Sequence, residues 1–104
     1  MITVSPAAAE QIRKSAKESH SEGMSLRIAA RVTPDEALDY GMGFDEVKED
    51  DIKNTSEGIN IIVSPAHADL LQGMHIDYVP LEDGEYNFIF QNPNDPAHKA
   101  PKDS

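Results

Sequence analysis

Four residues are of a type and placement that could hold a metal: Asp35, Glu36 and Asp39, close together, and His98 near the C-terminus. Carboxylate and imidazole together bind ferrous iron, as in sites of two histidines and one carboxylate. A plainer reading competes. Asp35 and Glu36 belong to Thr33-Pro34-Asp35-Glu36, a turn-forming run where solvated acids are ordinary, and His98 sits among Pro93, Pro96 and Pro101. His20, His67 and His75 show no metal-ligand spacing with one another. Ser5 and Ser64 each precede a proline and read as helix caps, with no credible triad around them. Gly41 and Gly43 lie inside a strand pattern, not before a helix, so they form no phosphate-binding loop. The chain has no cysteine and so offers no thiolate ligand. Nothing here points to an enzyme.

The elements that must position these residues read clearly. Ile2–Val4 is a short strand stopped by Ser5-Pro6, a cap followed by a proline at the first helical position. A helix follows over about Pro6 to His20, with Ala8, Ile12 and Ala16 on one stripe and Arg13, Lys14 and Lys17 facing away. Leu26, Ile28, Ala30 and Val32 then alternate with Arg27, Ala29 and Arg31; past the 33–36 break, Leu38, Tyr40, Met42 and Phe44 alternate with Asp39, Gly41, Gly43 and Asp45. Two period-two runs around a short loop predict an antiparallel hairpin with one buried face. Glu46–Glu57 reads as a polar, acidic connector without apolar periodicity.

Ile59–Val63 is a buried-strand pattern, and Ser64-Pro65 opens a short helix to about Leu71 that stops at Gly73. Ile76–Val79 and Tyr86–Gln91 are strands joined at Glu82-Asp83-Gly84. The expected architecture is α+β and mainly β: a compact sandwich of about six or seven short strands with two helices. Residues 1–94 form the domain, and residues 95–104 are expected to be a flexible C-terminal tail.

At 104 residues with a formal charge of −10, the chain is the size of one acidic domain. The charge is uneven: net +2 over residues 1–34, −7 over 35–57 and −5 over 58–104. Such a field repels phosphate backbones and anionic lipid and attracts basic partners, which argues against a direct nucleic-acid or membrane role. Asp45, Glu46, Glu49, Asp50 and Asp51 form the densest acidic surface, a candidate contact for a basic protein partner. No apolar run approaches the roughly 18 residues of a membrane helix. The first residues lack a basic and then apolar signal pattern, so a cytoplasmic location is expected.

Four stretches in this order resemble the A-type iron-sulfur carriers, the IscA/HesB family. They are Ile2-Thr3-Val4-Ser5-Pro6-Ala7-Ala8, Leu26-Arg27-Ile28, Ile76-Asp77-Tyr78-Val79 and Phe88-Ile89-Phe90-Gln91-Asn92-Pro93-Asn94. The resemblance implies a HesB/IscA-like sandwich, often assembled as dimers or tetramers. It also implies three cysteine ligands, one in a loop between the hairpin strands and two near the C-terminus. Counted without gaps, those positions fall at Asp35 and near Lys99 and Pro101. Iron-sulfur clusters are held chiefly by thiolates, so no metal-binding residue carries over. Within the family, the chain is similar to cysteine-free members encoded with sulfur-oxidation genes.

These readings favour a non-catalytic interaction or regulatory protein of iron-sulfur or sulfur metabolism, a monomer or small oligomer with no expected cofactor. Two alternatives remain open. One is a mononuclear iron binder or donor using Asp35 and His98; the other is a partner subunit of a cysteine-bearing carrier.

Overall fold

The computed structural model describes residues 1–94. Seven strands and two helices follow in chain order: β1 (Thr3–Val4), α1 (Pro6–Glu18), β2 (Ser25–Val32), β3 (Leu38–Asp45), β4 (Ile52–Ser56), β5 (Ile59–Val63), a 3-10 turn (Pro65–His67), α2 (Ala68–Leu71), β6 (His75–Pro80) and β7 (Tyr86–Gln91). They form two sheets, one of three strands in the order β1-β6-β7 and one of four in the order β3-β2-β5-β4. The expected α+β sandwich is present. His98 and the proposed tail, residues 95–104, lie outside the described residues. Among the described residues no helix is long and apolar enough to cross a membrane.

The core is aliphatic. Ile2, Val4, Ala8, Ala9, Ile12, Leu26, Ile28, Ala30, Ile59, Ile61, Val63, Leu71, Met74 and Ile76 form one buried cluster. Tyr40, Met42, Phe44, Tyr78, Phe88 and Phe90 pack around it, only partly buried. The hairpin alternates as expected, in full register from Ser25↔Asp45 to Val32↔Leu38. Val32 departs from the inward face and is 58% exposed. Its end of the hairpin runs past β5, which pairs only with Leu26 and Arg27.

Three boundaries differ from expectation, one of them at Ser64-Pro65, where a 3-10 turn precedes α2 and Ser64 makes no side-chain capping bond. The first helix ends at Glu18 rather than His20, because His20 takes a left-handed conformation at φ 58°. His20 N–H donates to Lys17 O at 3.2 Å and Ser21 N–H to Ala16 O at 2.7 Å, the paired bonds of a Schellman ending. The third difference is larger. The supposed connector 46–57 contains β4, whose partner is β5 through Ile52↔Val63 to Ser56↔Ile59. Glu57 and Gly58, at φ 51° and 78°, supply the two left-handed residues of a type I′ hairpin turn.

Short polar contacts join the layers. Ser5 accepts from Ala8 N–H at 3.0 Å, capping α1, and donates to Asp77 Oδ1 at 2.6 Å. Asp77 is thereby held below the ordinary carboxylate range, chiefly by Ser5 and then by Tyr78 N–H. At one margin, the Asn54 carboxamide accepts from Ile2 N–H at 3.3 Å and donates to Ile2 O at 2.8 Å, while Val4 N–H donates to Ser56 Oγ at 3.1 Å. These bonds tie the edge of one sheet to the edge of the other. At the opposite margin, fully buried Asn92 donates to Leu70 O at 2.7 Å and to the Tyr40 hydroxyl at 3.2 Å. Asn94 donates to Gln72 O at 2.7 Å. The Asn-Pro-Asn close is a lock between β7 and the end of α2.

Two outcomes follow for stability. Asn92→Ala leaves the Leu70 carbonyl with only the long 3.5 Å bond from Asn94 and empties a fully buried position, costing about 2 kcal/mol, against less than about 1 kcal/mol for exposed Asn94→Ala. His20→Gly removes a side chain from a left-handed position and stabilises by up to about 1 kcal/mol. Urea unfolding at fixed pH checks both; equal midpoints for the two asparagine variants would count against the lock.

Candidate functional site

The hairpin tip is built from its own hydrogen bonds. Thr33 N–H donates to Ala37 O at 2.9 Å, Glu36 N–H to Thr33 O at 2.9 Å, and Ala37 N–H to Thr33 Oγ1 at 3.2 Å. Glu36 takes φ 68°, closing the loop without glycine. Pro34, Asp35 and Glu36 are exposed. Asp39 is on β3 and faces Arg31 across the ladder at 3.3 Å, an exposed pair worth little in water. The three acids therefore do not converge on one point. Asp35 stands at the tip, and His98, its partner in the alternative iron-binding reading, lies outside the described residues.

The other histidines are distributed through the scaffold. His67 Nδ1 accepts from Ala30 N–H at 3.2 Å, in the stretch of β2 beyond the reach of β5. His75 Nδ1 lies 2.8 Å from Thr3 Oγ1, and His20 terminates α1. Among the described residues no three or more of His, Cys, Asp and Glu gather to hold a metal ion. A shallow depression of about 360 Å³ beside the hairpin is lined by Ala29, Ala30, Arg31, Asp39, Tyr40, Gly41 and His67.

The acidic run does something the sequence did not reveal. Arg27 grips two carboxylates: Nε reaches Asp45 Oδ2 at 2.6 Å, while Nη1 and Nη2 reach the two oxygens of Asp51 at 2.9 and 2.6 Å. Lys48 N–H donates to Asp51 at 2.7 Å, and Lys48 Nζ lies 3.5 Å from Asp45. The Asp51 side chain is only 2% exposed. Its carboxyl is pulled down to about 2, first by the Arg27 hydrogen bonds and then by Lys48 N–H. Asp45 is lowered by Arg27 and Glu46 N–H, and Arg27 is raised in turn.

Of the five acids expected to form a contact surface, Asp45 and Asp51 are thus engaged internally, and Asp51 is withdrawn from solvent. Glu46, Glu49 and Asp50 remain exposed. Part of this was readable. Arg27 and Asp45 share the outward face of the alternation, and the hairpin register puts them on a diagonal. Asp51 left no comparable signal, because its position depends on β4.

Comparison with known proteins adds a consistent picture. The sequence profile described as iron-sulphur cluster biosynthesis matches residues 1–97. The iron-sulfur cluster insertion protein ErpA of Xanthomonas euvesicatoria pv. vesicatoria is 30% identical over 94 residues, covering 89% of this chain and 73% of that protein. ErpA 2 of Methylococcus capsulatus is 31% identical, covering 89% of this chain and 72% of that protein. Among solved structures, IscA with the [2Fe-2S] cluster superposes with a TM-score of 0.78 at 27% identity, over 90% of this chain and 86% of that one. Escherichia coli SufA gives 0.75 at 25% identity, over 99% and 90%.

The clamp makes a pH signature. In the folded state Asp51 stays ionised where the unfolded chain would bind a proton, so its contribution is complete above the ordinary carboxylate range and is lost as pH falls through about 2. Asp51→Asn is expected to lower the urea midpoint at neutral pH and to flatten the decline between about pH 4 and 2. Asp45 and Asp77 are lowered too, so some slope remains. Parallel curves for the two proteins would remove Asp51 from this role.

Proposed function

The chain belongs to the iron-sulphur cluster biosynthesis family, residues 1–97 matching its profile, and from that premise we propose that it acts by contact with protein partners and does not itself carry the cluster. It is an IscA/ErpA-like assembly protein in sequence and fold. The observation behind the proposal is the absence of any cysteine from a chain that otherwise keeps the scaffold. The cluster is the cargo of such proteins, and soft thiolates are its usual protein ligands. Asp35, at the exposed hairpin tip, offers only hard oxygen donors, which suit labile ferrous iron better than a sulfide-bridged cluster.

On this reading the protein is non-catalytic and regulatory, tied to iron-sulfur or sulfur metabolism, and its acidity favours a partner with a basic surface. Residues 1–94 are the functional unit. Mononuclear iron on Asp35 and His98, and a mixed oligomer with a cysteine-bearing relative, are the competing roles.

The test is anaerobic titration of the purified protein with Fe(II), with and without sulfide, followed by desalting, iron analysis and an absorbance spectrum. The expected outcome is no retained iron and no cluster absorption from this chain alone. Retention of one iron per chain, abolished by Asp35→Ala, would replace the proposal with the mononuclear site. Cluster absorption appearing only when a cysteine-bearing family member is co-purified would favour the mixed oligomer.

A further inference from the structure

The four sheet edges are not equally protected. β1 is covered by the Asn54 and Ser56 side chains of β4, and that contact occupies both strands. The edge strand β3 carries Asp39 and Asp45. β7 is the other edge of the three-stranded sheet, paired on one side to β6 from Pro80↔Tyr86 to His75↔Gln91. Its sequence, Tyr-Asn-Phe-Ile-Phe-Gln, has no charge and no proline. Proteins usually guard a free edge with lysine, proline, a bulge or a covering loop. Among the described residues, β7 has none of these over its Tyr86–Phe88 half; at its other end Phe90 stacks on Tyr40 at 5.0 Å.

The surroundings of that open half have one chemistry. Tyr78 stacks on Tyr86 at 5.4 Å and lies against Phe88 at 4.7 Å, and this row of rings opens at the edge, where Tyr86 is 57% exposed. The turn leading into β7 exposes Glu82, Asp83 and Glu85. Lysine and arginine are absent from the whole stretch between Lys53 and Lys99, so these carboxylates have no cationic neighbour within their own sheet. In the 45–51 run, by contrast, Arg27 and Lys48 already answer Asp45 and Asp51.

We propose that the free edge of β7 takes an extended, arginine-bearing segment of a protein partner as an added strand. Main-chain hydrogen bonds to β7 supply the pairing, as in other strand-addition complexes. Guanidinium groups on alternate residues lie over the Tyr86 and Phe88 faces and meet the turn carboxylates. The inference rests on the partner-contact reading above and gives it a surface and a partner chemistry.

The probe is a synthetic peptide of about nine residues alternating arginine and valine, long enough to line the strand, titrated into the full isotope-labelled chain and followed by amide NMR. Expected are shifts on Tyr86–Gln91 and on the 81–85 turn, with slowed hydrogen exchange along β7. Glu82→Lys/Glu85→Lys weakens binding by about tenfold or more, and the difference shrinks at high salt. This variant spares Asp83, which accepts from Glu85 N–H at 3.0 Å and shapes the turn. Methylating the peptide nitrogens that face β7 abolishes binding.

Absence of shifts, shifts confined to residues 46–50, affinity unchanged in the charge variant, or affinity indifferent to backbone methylation would each overturn the proposal. Iron retention is read on the same protein without peptide. A peptide that fails to bind therefore leaves the cluster-free reading standing, and retained iron leaves the β7 result standing.

Discussion

The Ile2 backbone finds its outward hydrogen-bond partner in a side chain, the Asn54 carboxamide, and not in a neighbouring strand. That substitution carries much of the architecture. A two-residue strand cannot hold a sheet edge by itself, and a buried main-chain group without a partner is costly. By reaching across from β4, Asn54 and Ser56 let two small sheets share one aliphatic core without continuous pairing between them. The opposite margin is closed by other means, with Asn92 seated among Leu70 and Tyr40 and the Tyr40 ring on Phe90. Both closures are side-chain devices, so a few polar residues join the margins that the apolar core alone does not.

This explains what the family resemblance measures. Ser5 caps α1 and holds Asp77; Arg27 clamps Asp45 and Asp51; Asn92 and Asn94 fasten the exit of β7. Ser5, Arg27, Asp77, Asn92 and Asn94 all lie in stretches by which the chain resembles iron-sulfur carriers, and each has a mechanical role here. The shared words describe how the scaffold is held, and cluster chemistry would sit on other positions. A chain can therefore keep the fold grammar intact while the thiolates are absent.

Legibility in the sequence followed the same division. Period-two alternation located the β2–β3 hairpin because every second residue meets the core. The Ser5-Pro6 pair located the start of α1, whereas Ser64-Pro65 opens a 3-10 turn ahead of α2 and Ser64 makes no side-chain cap. β4 was missed because Lys53, Asn54, Thr55 and Ser56 have no apolar face to betray a strand; two of them spend their side chains on β1. The Glu57-Gly58 pair was the available clue, since two left-handed residues in succession mark a tight hairpin. The helical pattern extends to His20, whereas the His20 backbone ends that helix in the way glycine usually does. For the candidate site, composition exposed the acids but not their partners, because a clamp such as Arg27–Asp51 is a fact of tertiary distance.

The order β1-β6-β7 has a further consequence, in time rather than in space. Thr3 pairs with His75 and Val4 with Ile76, so the three-stranded sheet joins the first residues of the chain to nearly the last. The four-stranded sheet needs only residues 25–63 and can assemble while the C-terminal part is still being synthesised. Contacts of such long sequence separation form late and slowly. During that interval β1 has no strand partner, and the apolar faces of Ile2 and Val4 stay uncovered by β6. Arrival of β6 gives β1 its strand partner and closes the three-stranded sheet over Ile2 and Val4.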